Sequence, residues 1–209
     1  MATMVRAAPA AAVTLGIAAL GTGASMSFAA EKVQPPPSVT MLGNSLVLKS
    51  NLTSATEDLV AEYVPAQETL DHWTLMLGVR IFKGNRLTPD QAIAMKTGEV
   101  EARRAQGDYI ANSMAFAKGE FKVIDFVMSQ PPIVEHNVMS FSRRPDGRLV
   151  SYQLARRYYQ PSSGVDDGLR AFMGEIKTNR DLYVREVERL SKEILQSPPE
   201  RDFGPPPPP

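Results

Sequence analysis

The residues with chemical potential gather in three short stretches. The chain has two His and one Trp. Asp71-His72 and Glu135-His136 each set an imidazole beside a carboxylate, a pairing that can ligate a divalent metal. Neighbouring residues on a strand point to opposite faces, so Glu135 and His136 are not expected to share one ion. Asp71 and His72, in a loop, escape that objection. The competing reading is an ordinary surface or hydrogen-bonded His, and no metal or other cofactor is expected. Trp73 follows His72 directly. It reads as a core anchor, with ligand stacking at a cleft mouth as the alternative, because the preceding residues from Gln67 to His72 are polar.

The third stretch is basic. Arg143, Arg144, Arg148, Arg156 and Arg157 fall on one predicted hairpin, and Tyr158-Tyr159 follows them. Guanidinium groups beside aromatic rings suit a phosphate or an anionic polymer. The competing reading is a solvated sheet face whose arginines pair with acids. Lys+Arg and Asp+Glu both total 23, so nothing global favours nucleic acid, and none is expected as a partner.

Other chemistries are missing from the sequence. It has no Cys, which excludes disulfides, thiolate metal sites and a Cys nucleophile. It has no phosphate loop, dinucleotide loop, metal-hydrolase motif or serine elbow. Gly43-Asn44-Ser45-Leu46-Val47 lacks the second glycine that an elbow requires.

The ends have their own logic. Residues 1–29 read as a signal peptide. Arg6 precedes the apolar run Ala10–Leu20, and Ser27-Phe28-Ala29 offers small residues for cleavage after Ala29. That run is shorter than the roughly 20 residues a spanning helix needs, so no transmembrane segment is expected in the mature chain. Export to the periplasm or beyond is the predicted address. Residues 30–41, with Pro35-Pro36-Pro37, read as an extended linker. Residues 197–209, ending in five prolines, read as a disordered tail.

Between them, residues 42–196 of the 209-residue chain predict a single domain. Ser45–Leu52 and Asp58–Val64 predict a hairpin ended by Pro65. Trp73, Leu75, Leu77, Val79 and Ile81 are predicted to share one face of a central strand. Thr88 as N-cap, Pro89 at the first position and Gln91 three after the cap predict a helix to about Gln106. Four strands follow, near Ile110–Ala117, Phe121–Ser129, Val134–Arg143 and Leu149–Tyr159. Leu169–Leu195 carries the strongest helical stripe, with Leu169, Phe172, Met173, Ile176, Tyr183, Val187, Leu190 and Ile194. Asn179 and Arg180 interrupt it, which allows a bend or a weakly packed turn there. The order β-β-β-α-β-β-β-β-α predicts an α+β domain: an antiparallel sheet of about six to seven strands with two helices packed on it.

Tyr63-x-Pro65-x-Gln67 followed by Trp73, after a hairpin, resembles uncharacterised exported proteins of proteobacteria. The element order over Leu42–Leu195 is similar to the PsbP-like α+β fold, in which a hairpin leads through a Pro-containing loop and a Trp into the sheet. The resemblance implies a binding or accessory role and supplies no ligand residue. The expected function is therefore an exported binding or accessory module without catalysis. Its expected partner is an envelope protein or a small anionic ligand. The alternative is a small secreted hydrolase or metal-dependent enzyme using His72 or His136.

Overall fold

A computed structural model describes residues 34–84, 87–118, 121–144, 146–161 and 167–196. The predicted signal peptide and the proline-rich tail lie outside these residues. Among these residues ten elements follow in order: β1 (Ser38–Met41), β2 (Asn44–Leu52), β3 (Glu57–Pro65), β4 (Leu75–Phe82), α1 (Pro89–Ala105), β5 (Tyr109–Lys118), β6 (Phe121–Gln130), β7 (Ile133–Arg143), β8 (Leu149–Tyr159) and α2 (Asp167–Gln196).

The strands form one antiparallel sheet in the order β1-β2-β3-β4-β8-β7-β6-β5. It has eight strands where six to seven were expected, because Ser38–Met41, read as linker, pairs with Asn44–Val47. A two-residue turn at Leu42 and Gly43 joins them, both with positive φ, 52° and 76°. That geometry matches the twist of a hairpin but suits glycine far better than leucine.

The two helices cover opposite faces. Alternation along β6 sends Val123 and Val127 into one apolar cluster with Phe172, Ile176, Tyr183, Val187 and Leu190 of α2. Ile124 and Phe126 enter the other cluster, with Ala92 and Val100 of α1. The α1 start is fixed locally. Thr88 Oγ1 accepts from the Gln91 N–H at 3.2 Å, and Gln91 Oε1 accepts from the Thr88 N–H at 2.9 Å. Such a reciprocal cap adds about 1 kcal/mol. The α1 contact is shallow, as its sequence implies, with Met95 still 37% exposed.

The interruption near Asn179 does not end the helix, since α2 runs unbroken from Asp167 to Gln196. Arg180 does not break the packing because its Nε donates to Asp125 Oδ2 at 2.5 Å. A charge that reads as an interruption is instead the helix's link to the sheet.

Trp73 also departs from its predicted face. It is buried with Val64, Met76 and Ala155, on the side opposite Leu75, Leu77 and Val79. The strand begins only at Leu75, so the period-two pattern cannot be extended back through Thr74. Among the described residues, no helix is long and apolar enough to cross a membrane.

Candidate functional site

A cleft of about 640 Å³ opens where α2 crosses the ends of β2, β3 and β4. It is lined by Leu42, Gly43, Asn44 and Ser45, and by Pro65, Gln67, Glu68, Thr74 and Leu75 from the neighbouring strand ends and loop. Arg156 from β8 and Glu175, Asn179, Leu182 and Tyr183 from α2 complete it. The sequence brings these together through three devices. The Leu42-Gly43 turn is tied to α2 by the Leu42 N–H donating to Glu186 Oε1 at 2.8 Å. The loop after Pro65 is closed by Glu68, whose carboxylate accepts from the Thr74 N–H at 2.8 Å and the Thr74 hydroxyl at 2.7 Å. The α2 stripe places Glu175, Asn179 and Tyr183 on one side at helical spacing.

Arg156 is the cation of the cleft. Its Nη1 donates to Glu175 Oε1 and, at 2.6 Å, to the Tyr183 hydroxyl. The Tyr183 hydroxyl in turn donates to the same Glu175 oxygen at 3.1 Å. The guanidinium carbon lies 5.9 Å and 5.7 Å from the ring centres of Phe172 and Tyr183. The hydrogen bond from Arg156 holds the Glu175 carboxyl below its ordinary range. Burial alone would ease the Arg156 proton away, but Glu175 and Tyr183 outweigh it and raise its pKa.

Behind Tyr183 lies a second polar group. His136 Nε2 and Asp125 Oδ1 are 3.0 Å apart, with 0% and 1% exposure. The His136 ring sits 5.5 Å from the Tyr183 ring. Val127, not Asp125, is the direct cross-strand partner of His136, so the pair is a diagonal contact between neighbouring strands. It is sealed under α2 and presents no surface to a substrate.

The remaining candidates lie on the other face. His72 is exposed and stacks on the Tyr159 ring at 4.1 Å. Trp73 is only 2% exposed, with the Arg157 guanidinium 3.9 Å above its ring. Arg157 Nε also donates to Glu135 Oε2 at 2.7 Å. From there Glu135, Asn137, Gln153 and Arg80 continue as a hydrogen-bonded row across the sheet. Asp71 is exposed in the same loop. His72 and His136 thus stand on opposite sides of the sheet and cannot form one site. Among the described residues, no group of three or more His, Cys, Asp or Glu gathers as a metal site.

The five arginines do not converge. Arg148 is buried and bonds Asp146 at 2.7 Å and Asp58 at 2.8 Å. Arg144 also pairs with Asp146, at 3.2 Å, and Arg143 donates to the Gly147 carbonyl at 2.6 Å. Arg156 lies about 27 Å further along the strand at about 3.4 Å per residue. Arg157 faces away from it, as alternation requires. The hairpin is therefore a self-paired structure, and of its arginines Arg156 alone reaches the cleft.

Of the predicted ligand-contacting residues, the cleft unites Gln67 and Arg156. It leaves Asp71, His72, Trp73, Arg143, Arg144, Arg148 and Arg157 elsewhere. Sequence reading missed Glu175, Asn179 and Tyr183. Asn179 has a signal in the polar interruption of the α2 stripe; Tyr183 stands within the apolar stripe itself, and nothing in the spacing marks Glu175. It also missed Leu42, whose positive φ no local sequence pattern announces.

No curated protein matches the chain. A protein-family model matches residues 33–191, from the residues just before β1 into the last turns of α2. That is most of the 209 residues, and the chain belongs to that family.

Proposed function

We propose that the protein is an exported, non-catalytic binding module whose α2 cleft receives its partner or ligand. The observation that carries this reading is the state of the cleft's ionisable groups. Arg156 and Glu175 are bonded to one another, and both Glu68 oxygens are engaged by Thr74. A general base needs a lone pair directed at a substrate, whereas a recognition surface needs fixed donors and acceptors around an open volume. The hydrolase alternative gains no support from geometry, since His136 is sealed and His72 stacks on Tyr159 outside the cleft.

Export and a periplasmic partner belong to the same proposal, on the strength of the leader sequence. Expression in a bacterial host with an intact envelope is expected to yield a chain beginning at Ala30 by intact mass. A photo-crosslinking residue at Gln67, on the cleft wall, is expected to give a discrete adduct in native cells. The same residue at Leu52, 63% exposed on the far end of β2, is the control. Identical patterns at both positions, or none at Gln67, would defeat the reading.

A further inference from the structure

We infer that the cleft is a carboxylate receptor in which Glu175 is an internal stand-in for the ligand, rotating away when an external carboxylate binds Arg156 and Tyr183. The inference rests on the binding-module reading and adds the chemistry of what is bound.

Four observations point this way. First, both protein bonds of the Arg156 guanidinium use one nitrogen, Nη1. Among the described residues Nε and Nη2 donate to nothing. A guanidinium matches a carboxylate through two parallel N–H bonds, so half of that fork is available. Second, one oxygen of Glu175, Oε1, takes both the Arg156 and the Tyr183 bonds. A phenol and a guanidinium converging on one carboxylate oxygen form a receptor of the required shape.

Third, the receptor is packed in and its occupant is exposed. Tyr183 is 2% exposed, and Arg156 lies against two aromatic rings. The Glu175 side chain is 43% exposed and stands on a solvent-facing turn of α2. Exposed ion pairs contribute little, so exchanging Glu175 for a ligand carboxylate costs little.

Fourth, the surroundings select for a single negative charge. Among the described residues Arg156 is the only cation lining the cleft, and Glu68 is a second anion there. A dianionic phosphate would meet one guanidinium and a carboxylate, whereas a monoanionic carboxylate matches one guanidinium. Asn44, Ser45, Gln67 and Asn179 then offer hydrogen bonds to the uncharged body of the ligand.

The test uses the mature chain and two-dimensional NMR, reading the Arg156 Nε–Hε signal and the Asn179 amide. N-acetylalanine imitates a chain terminus. N-acetylglutamic α-amide carries its one carboxylate on a side chain. Either is expected to shift both signals with saturation in the millimolar range, and the tighter of the two identifies the source. N-acetylalaninamide, without the carboxylate, is expected to produce no shift. Arg156→Gln is expected to abolish the response. Glu175→Gln, which removes the internal competitor at an exposed position, is expected to tighten binding at least threefold. A purely structural Arg156–Glu175 pair predicts no such gain. Equal responses to acid and amide, equal responses to inorganic phosphate, or unchanged or weaker binding in Glu175→Gln would each overturn the inference. Loss of carboxylate binding with the Gln67 adduct retained would leave the binding-module reading standing. Loss of the adduct itself would remove that reading.

Discussion

The Tyr159 hydroxyl accepts from the Trp73 N–H and donates to the Trp73 carbonyl, both at 3.1 Å. One side chain from the end of β8 thereby satisfies both backbone groups of the residue that leads into β4. The Arg157 N–H adds a bond to the Thr74 carbonyl at 3.0 Å. The loop from Gln67 to Thr74, whose Gln67, Glu68 and Thr74 line the cleft, is thus anchored from the last strand of the sheet.

Tyr159→Phe keeps the ring under His72 and removes only the hydroxyl. The Trp73 peptide then loses two hydrogen bonds beside a buried indole, at about 1–2 kcal/mol in total. Urea unfolding is expected to show a lower midpoint with an unchanged slope. Hydrogen exchange is expected to speed up at Trp73 and hardly at all in α1. An unchanged midpoint would mean that solvent replaces the clamp at no cost.

Gly168 lies in the first turn of α2, where a Cβ would collide with the Tyr158 hydroxyl and press on the ring carbon bearing it, 2.9 Å away. Its role is close approach, since its φ is not positive. Gly168→Ala ordinarily gains helix propensity, but this steric conflict outweighs it. The expected effect is a loss of about 1–3 kcal/mol. Adding Tyr158→Phe removes the nearest atom, so the double variant is expected to recover part of the loss in a thermodynamic cycle. Additive effects would show that the contact is not the cause.

The features that were legible in the sequence are the local ones. The Thr88–Gln91 cap, the meander of β5 to β8 and the α2 stripe follow from residue spacing within a few positions. What was not legible depends on register. Asp125 and His136 meet only because β6 and β7 pair with Val127 opposite His136, and Arg180 joins them from a helix 55 positions away. β1 is four residues long, too short to carry a period, and it follows three prolines that read as linker. Trp73 changed face because an irregular residue, Thr74, breaks the alternation. The arginine hairpin looked like a patch because sequence adjacency hides strand length and alternation.

Asp125 is the hinge between sheet and α2, accepting from Arg180 at 2.5 Å and facing His136 at 3.0 Å. Asp125→Asn preserves the shape but turns one oxygen into an NH2 group. That group is accommodated only on the His136 side, with the ring nitrogen in its acceptor form, and the negative charge opposite Arg180 is lost. The expected cost is about 3 kcal/mol, the low end for breaking a buried pair, because Arg180 is 28% exposed and can rehydrate. Leu182→Ala on the exposed side of α2 is the control and is expected to move the midpoint little. A neutral Asp125→Asn would mean that apolar packing alone seats the helix.

Stability should be flat near neutrality and fall at both extremes, for reasons that differ in sign. Arg156 holds Glu175 low, and Arg189 holds Glu186 low. Burial would raise Asp146, but Arg148 outweighs it and lowers it. A depressed folded pKa contributes stability above the unfolded value and loses it as pH falls through the folded value. The acid limb is therefore expected below the ordinary values of 3.8 for Asp and 4.5 for Glu. On the alkaline side, burial raises Tyr63, Tyr152 and Tyr183 above the ordinary 10.0. A raised pKa stabilises fully below the unfolded value and is lost as pH rises toward the folded one. The urea midpoint is expected to hold up to roughly pH 10 and then drop, with tyrosinate absorbance appearing in step with unfolding. Tyr63 is 1% exposed, and no hydrogen bond to its hydroxyl contributes to its shift. Tyr63→Phe, which removes one of the three groups, is accordingly expected to make the alkaline limb shallower and leave the acid limb unchanged. Tyrosinate absorbance arising in the folded protein near pH 10, ahead of unfolding, would show that burial does not govern these phenols.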